Sequence, residues 1–138
     1  KRQFIGSPAM NFFTGQLVSI EEQLMFQGEG FLLPLPTHGG DRYATYRDRP
    51  VILGVRPEDI HDPSFPPPDI TPADLTATIS VVEHMGNELI LHLQTPAQQP
   101  LTARVDRRSR LTRGEKVVLK VNTTALHLFD AATEAALT

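Results

Sequence analysis

The sequence predicts an all-β fold, and three observations carry this prediction. Apolar residues alternate with polar ones over short runs, most clearly at 75–81, as in strands with one buried face. Twelve prolines and nine glycines interrupt the 138 residues, which favours strands joined by turns. The C-terminal residues 131–138 have a helix-favouring composition but no apolar face that would pack a helix.

Four strands are predicted in the first part of the chain, at 11–20, from 24 onward, at 31–36 and at 51–55. Gly28 and Gly30 predict a hairpin turn or a bulge between the second and third strands. Pro34 and Pro36 confine the third strand to a sheet edge or to an exit from the sheet, because proline has no N–H for a ladder. The polar residues 38–49 predict a loop before the fourth strand.

The run 51–55 is apolar and mostly β-branched, which is typical of a strand buried on both faces. Pro57 ends this strand, holds Arg56 extended and suits the first position of a short helical turn. Glu58 and Asp59 follow, where acidic side chains favour a helix N-terminus. Two interpretations of Arg56 stay open at this point: a structural salt bridge at the corner, and an anchor of an interface.

Five further strands are predicted at 75–81, 89–93, 101–105, 117–121 and 126–130. Val82 breaks the alternation of the first of them, which predicts a bulge. Gly86 and Asn87 both tolerate positive φ, so 85–88 is predicted to be a hairpin turn. Five prolines within 61–72 predict a stiff extended crossing between two halves of one sheet structure.

The composition excludes several classes of protein. There is no cysteine, so neither a disulfide scaffold nor a thiolate metal site is available. The net charge is −3 and neither half of the chain is basic, which disfavours a nucleic-acid partner even though Tyr43 and Tyr46 interleave with arginines. No apolar run approaches the roughly 18 residues that span a bilayer.

No catalytic, metal or cofactor site is predicted in this chain. The five histidines have no metal-ligand spacing, and His84 and His92 are predicted to approach each other across the hairpin as packing or solvent groups. Neither a Gly-x-Ser-x-Gly elbow nor a Gly-Lys-Ser/Thr phosphate loop occurs. The residues therefore predict a small β-rich binding or regulatory domain and not an enzyme.

Four segments in order, 4–12, 53–60, 81–88 and 126–130, resemble one known family. They are similar to the C-terminal regulatory region of the ATP-binding subunits of sugar ABC importers, of the maltose and glycerol-3-phosphate type. The resemblance runs from Phe4 to about Asp130. It implies a small OB-fold-like barrel of the TOBE/MOP type with short helical turns.

The resemblance also implies a domain organisation. Residues 1–12 would be the hinge from a nucleotide-binding domain that this chain lacks, and 13–138 the regulatory domain. That domain would combine two interleaved β segments, 13–60 and 75–130, joined by the proline-rich crossing. ATP and Mg would bind in the missing domain, and this chain would hold no cofactor. The candidate hinge or interface residues are Phe4, Gly6, Pro8, Asn11, Phe12, Arg56, Glu58, Gly86, Asn87 and Glu88.

The partners implied by the resemblance are the twin regulatory domain in a homodimer, the nucleotide-binding domain of the parent and, indirectly, the membrane permease subunits. In some family members this region also receives inhibitory or signalling proteins. The parent would be cytoplasmic and peripheral to the inner membrane. The transported solute is not implied, because other subunits of such importers select it.

Two departures and one alternative accompany the resemblance. Thr133 and Glu134 stand where the family often has a Thr-Gly turn, which argues against a last strand at 135–137. The loop 43–49 and the proline-rich segment 63–72 match no family pattern, and the roles of the loops 37–49 and 61–72 are not implied. The alternative function is an oxyanion-binding module for molybdate or tungstate, since related barrels bind these anions between subunits. The Ser-Ala-Arg-Asn motif associated with that binding is absent.

Overall fold

The all-β prediction is confirmed. The computed structural model describes residues 9–36, 43 and 45–137, and within them each of the nine predicted strands occurs, together with a short tenth. The strands are β1 Asn11–Ile20, β2 Gln23–Gly28, β3 Phe31–Pro34, β4 Pro50–Val55, β5 Ile60–His61, β6 Pro72–Met85, β7 Glu88–Gln94, β8 Pro100–Asp106, β9 Lys116–Asn122 and β10 His127–Asp130. Short 3₁₀ helices at Pro57–Asp59 and Thr123–Ala125 complete the elements.

The strands form two antiparallel sheets of five strands. The first sheet has the order β10-β4-β1-β2-β3, and the second has the order β5-β9-β6-β7-β8. The edge strand β8 also contacts β5 and the Pro57–Asp59 helix, so the second sheet curls until its two edges nearly meet. Such near closure of a sheet is typical of small β-barrels.

One hydrophobic core lies between the sheets. The strand β4 is central in the first sheet, between β10 and β1, and Val51, Leu53 and Val55 are fully buried there. The strand is therefore buried on its inner face, as predicted, whereas Ile52 on its outer face is only half-buried. Other fully buried side chains of the core are Leu17, Phe26, Leu33, Ile60, Leu75, Ile79, Leu91, Leu93, Leu119 and Leu128.

Tight turns connect β1 to β2 and β2 to β3 in the first sheet. The β2–β3 hairpin turns at Gly30, whose φ of 86° is left-handed, as the glycines predicted. The β1–β2 hairpin turns through Glu21 and Glu22, whose φ values of 50° and 68° are both left-handed. Two glutamates thus occupy positions that such a turn normally gives to Asn and Gly, which tolerate positive φ better than other residues do.

The strand β6 is longer than predicted and its bulge lies elsewhere. The register shifts between Ile79 and Val81, so the bulge is not at Val82. The strand begins at Pro72, opposite Asn122 of β9. The proline-rich connection therefore links β5 to β6, which lie on either side of β9.

The chain turns back after β10. Glu134 has a left-handed φ of 63°, and the Leu137 N–H donates to the Leu128 carbonyl at 2.8 Å. One antiparallel bridge, Phe129 opposite Ala136, follows from this return. The structure has a single bridge here and no further strand within 131–137. No helix among the described residues is both long and apolar enough to cross a membrane.

Candidate interaction surfaces

Asn11 lies at the seam between the two sheets and is buried. Its Nδ2 donates to the Val55 carbonyl at 3.0 Å and to the Thr102 carbonyl at 2.9 Å. Its Oδ1 accepts from the Thr102 N–H at 2.8 Å. The amide therefore pairs with the open edge of β8 as a strand residue would, while the Asn11 backbone belongs to β1. This predicted interface residue is an internal clamp in this chain.

Phe12 follows on the opposite, outer face of β1 and is 59% exposed. Its ring meets the Phe129 ring edge-on, with 6.1 Å between centroids and 64° between planes. Gly54 lies beneath both rings, because a Cβ there would stand 3.3 Å from the Phe129 ring and 3.4 Å from the Phe12 ring. It would also stand 2.5 Å from Met10 Sδ. Ile52 is half-buried beside Phe129 on the same face. We call Met10, Phe12, Ile52 and Phe129 the Phe12 patch.

Arg56 occupies the corner after β4, as predicted. Its backbone is extended at φ −73° and ψ 146°, and its carbonyl accepts from the Asp59 N–H at 2.9 Å. Its guanidinium is exposed and forms no ion pair with any acid in the described part of the chain. The predicted corner salt bridge is therefore wrong for Arg56, because its side chain points to solvent. The interface interpretation of Arg56 stays a prediction.

Arg104 makes the corner ion pairs instead. Its guanidinium nitrogens lie 3.4 Å from Glu58 Oε1 and 3.5 Å from Glu88 Oε2. The arginine thus brings together two predicted site residues, one from the Pro57–Asp59 helix and one from the start of β7. All three side chains are 30% to 47% exposed, so each pair contributes little stability and mainly fixes geometry.

The hairpin turn at Gly86 and Asn87 is confirmed. Met85 stands opposite Glu88, which leaves two turn residues, and Gly86 has a left-handed φ of 62°. No atom lies within 4 Å of the position that a Gly86 Cβ would take, so a side chain at Gly86 would meet open space. Its conformation, rather than crowding, favours glycine there.

Two titratable side chains at the corner, Asp59 and His61, have shifted pKa values. Burial raises the pKa of Asp59, helped by the neighbouring Glu58, while His61, Arg56 and His127 act in the opposite direction. Burial also lowers the pKa of His61 against the opposing influence of Asp59. Both shifts favour the neutral forms, as partial removal from water does.

The predicted approach of His84 to His92 is wrong. The register places His84 opposite Leu89 and His92 opposite Val81. His92 Nε2 lies instead 2.6 Å from Glu83 Oε1 on the outer face of the second sheet. Across the described ranges, no three histidine or acidic side chains are grouped as metal ligands.

Phe4, Gly6 and Pro8, and most of the loop 37–49, lie outside the described residues. The structure adds two site residues that the sequence reasoning missed, Thr102 and Arg104. Both lie on the outward-facing positions of the alternating run 101–105, so the alternation alone placed them on the surface. Nothing local in the sequence indicates that one meets Asn11 and the other meets two glutamates.

Comparisons with known proteins agree with this architecture. Residues 6–60 match the family described as the MalK OB fold domain, and residues 53–129 match the TOBE domain family. Among solved structures, the cytoplasmic molybdate-binding protein ModG superimposes with a TM-score of 0.66 at 14% identity, over 91% of this chain and 98% of ModG. This likeness shows the barrel-type fold.

Curated relatives are subunits of transporters. The chain is 42% identical to the osmoprotective compounds uptake ATP-binding protein GgtA of Synechocystis sp., over 97% of this chain and 36% of GgtA. It is 39% identical to the multiple sugar-binding transport ATP-binding protein MsmK of Streptococcus mutans, over 97% of this chain and 35% of MsmK. It is 34% identical to the oligosaccharides import ATP-binding protein MsmX of Bacillus subtilis, over 95% of this chain and 35% of MsmX. The chain thus spans about a third of the length of these relatives. It belongs to the TOBE domain family, in the form found in ATP-binding subunits of ABC importers for sugars and oligosaccharides.

Proposed function

We propose that this chain is the non-catalytic C-terminal regulatory region of the ATP-binding subunit of a sugar-type ABC importer. The supporting observation is the TOBE match over residues 53–129 together with relatives named as transport ATP-binding proteins. The other two thirds of such a relative leaves room for a nucleotide-binding domain, which would use ATP and Mg to drive solute uptake. This chain carries no phosphate-loop motif of its own.

In this proposal the chain holds two ATP-binding subunits together by pairing with its twin. The Phe12 patch is the surface that we assign to this contact. It is apolar and strand-built, and Phe12 is the most exposed large hydrophobic side chain of the described residues. Exposed apolar patches on small domains mark interaction surfaces, and aromatic side chains carry much of the energy of such contacts.

The remaining partners follow from the same proposal. The nucleotide-binding domain of the parent would contact this region directly, and the permease subunits indirectly, at the cytoplasmic face of the inner membrane. The net charge of −3 disfavours nucleic acid. The oxyanion alternative lacks support in the residues, because the Ser-Ala-Arg-Asn motif is absent and the likeness to ModG concerns the fold alone.

Sedimentation equilibrium across the micromolar range tests the pairing. We expect the chain to dimerise, and we expect Phe12→Ser, which changes both copies, to weaken the dimer by at least about 30-fold, since a single central aromatic contact contributes about 2 kcal/mol. Leu32→Ser is the matched control, because Leu32 is an exposed apolar residue on β3, at the far edge of the first sheet. Equal weakening by both variants would refute the assignment of the patch. A full-length parent that stays dimeric without residues 1–138 would refute the proposed function.

A further inference from the structure

The strand β6 extends beyond its neighbour and leaves an edge unpaired. Its pairing with β9 ends at Thr78, opposite Lys116. Beyond this pair, Ile79 forms two backbone hydrogen bonds to Gly114 and Glu115, in the turn just before β9. Its pairing with β7 continues to Met85. In the part of the chain that the structure describes, 81–85 therefore has a ladder partner on one side only.

The hairpin geometry determines which backbone groups face the open side. Met85 and Glu88 close a two-residue turn, so they form a hydrogen-bonded pair. Hydrogen-bonded pairs alternate along an antiparallel ladder, so Glu83 and Val81 also bond to β7. The N–H and C=O groups of Val82 and His84 consequently point away from β7 and are available to a further strand.

A groove runs beside this edge, between it and the loop 109–113. Val82 and Leu111 are half-buried against the core, and Leu89 is buried beside them, so the floor is apolar. Such a floor accepts alternate side chains of an extended segment, while the edge supplies backbone hydrogen bonds.

The opposite wall of the groove is basic. Arg110 and Arg113 are exposed, and neither forms an ion pair with any acid among the described residues. The chain as a whole has a net charge of −3, so this wall is a local exception. Two uncompensated guanidinium groups beside an apolar floor complement a segment in which acidic side chains alternate with apolar ones.

We propose that this groove binds an extended acidic segment of a partner protein, which adds to β6 as a further strand. A second copy of this chain is a poorer occupant, because pairing of two β6 edges would bring two sets of Arg110 and Arg113 together. The proposal is independent of the dimer surface, since the groove belongs to the second sheet and the Phe12 patch to the first.

Fluorescence anisotropy with a labelled nine-residue peptide of alternating Asp and Val tests the proposal, with a Lys-for-Asp peptide as the charge control. We expect saturable binding of the acidic peptide only. The double variant Arg110→Ala, Arg113→Ala should bind about tenfold more weakly, since two partly solvated charge contacts are lost. Arg107→Ala is the matched control, because Arg107 is exposed, unpaired among the described residues and outside the groove. It should stay within about twofold of the unchanged chain.

Amide hydrogen exchange with the peptide bound gives a second measurement that needs no variant. Strand addition should slow exchange at Val82 and His84, whereas Glu83 already bonds to β7 and should change little. Equal binding of both peptides, undiminished binding by the double variant, or binding without protection of Val82 and His84 would overturn the proposal. Protection of the same two amides by self-association in the absence of peptide would assign the edge to a second copy and would also overturn it.

Discussion

The Asn11 clamp allows the sharpest test of the structure. Asn11→Ala removes one acceptor and two donor bonds, with lengths of 2.8, 2.9 and 3.0 Å, from a side chain that is only 8% exposed. A buried hydrogen bond contributes about 1 kcal/mol, so the loss is about 3 kcal/mol. For a domain of this size that corresponds to a decrease in Tm of about 10 °C.

Urea unfolding followed by circular dichroism measures this loss, and Asn122→Ala is the matched control. The Asn122 side chain only caps a 3₁₀ helix, accepting from the Thr124 N–H at 3.3 Å and its hydroxyl at 2.8 Å. Its removal should cost about 1 kcal/mol. A loss for Asn11→Ala no larger than that of Asn122→Ala would refute the argument that Asn11 joins the two sheets.

Three further predictions concern stability. Glu134→Gly should stabilise the chain by about 1 kcal/mol in urea unfolding, because Glu134 has a left-handed φ of 63° that glycine adopts without strain; an unchanged midpoint would contradict this. Gly15→Ala should cost about 3 kcal/mol in the same assay, because the new Cβ would clash with the Gln27 carbonyl oxygen. Gly86→Ala, whose new Cβ would have no atom within 4 Å, should cost only its backbone strain. The hydrogen bonds from Arg108 lower the pKa of Asp106 to about 2. The contribution of ionised Asp106 to the free energy of unfolding is therefore fully present above the unfolded pKa of about 3.9 and is lost as pH falls through about 2. Asp106→Asn should therefore flatten the decrease in urea midpoint over that interval, and an identical pH profile for both proteins would refute this.

The sequence predicts the strands well because their signals are local. Alternation and β-branched residues define the strands, and Gly86 with Asn87 defines a turn, all within a few neighbouring positions. The strand β5 was missed because it has two residues, Ile60 and His61, and is a strand only through pairing with β9.

The interaction surfaces were predicted less completely because they depend on contacts between distant parts of the chain. Asn11 meets Thr102, which lies 91 residues further along, and an amide at a strand start gives no local indication of that partner. A corner salt bridge was one of two open interpretations of Arg56, because Arg56 is adjacent in sequence to Pro57 and Glu58. The ion pair at the corner joins Arg104 to Glu58 instead. Arg104 lies on β8, and only the near closure of the second sheet brings β8 next to the Pro57–Asp59 helix.

The Asn11 clamp has a mechanical consequence. Asn11 is the first residue of β1, its backbone is paired with β4, and its amide is bound to β8. A pull transmitted through the residues that precede it is therefore shared by both sheets at their junction. Detaching β1 alone would require breaking the bonds to β8 at the same moment, so we expect the barrel to follow such a movement as one rigid body.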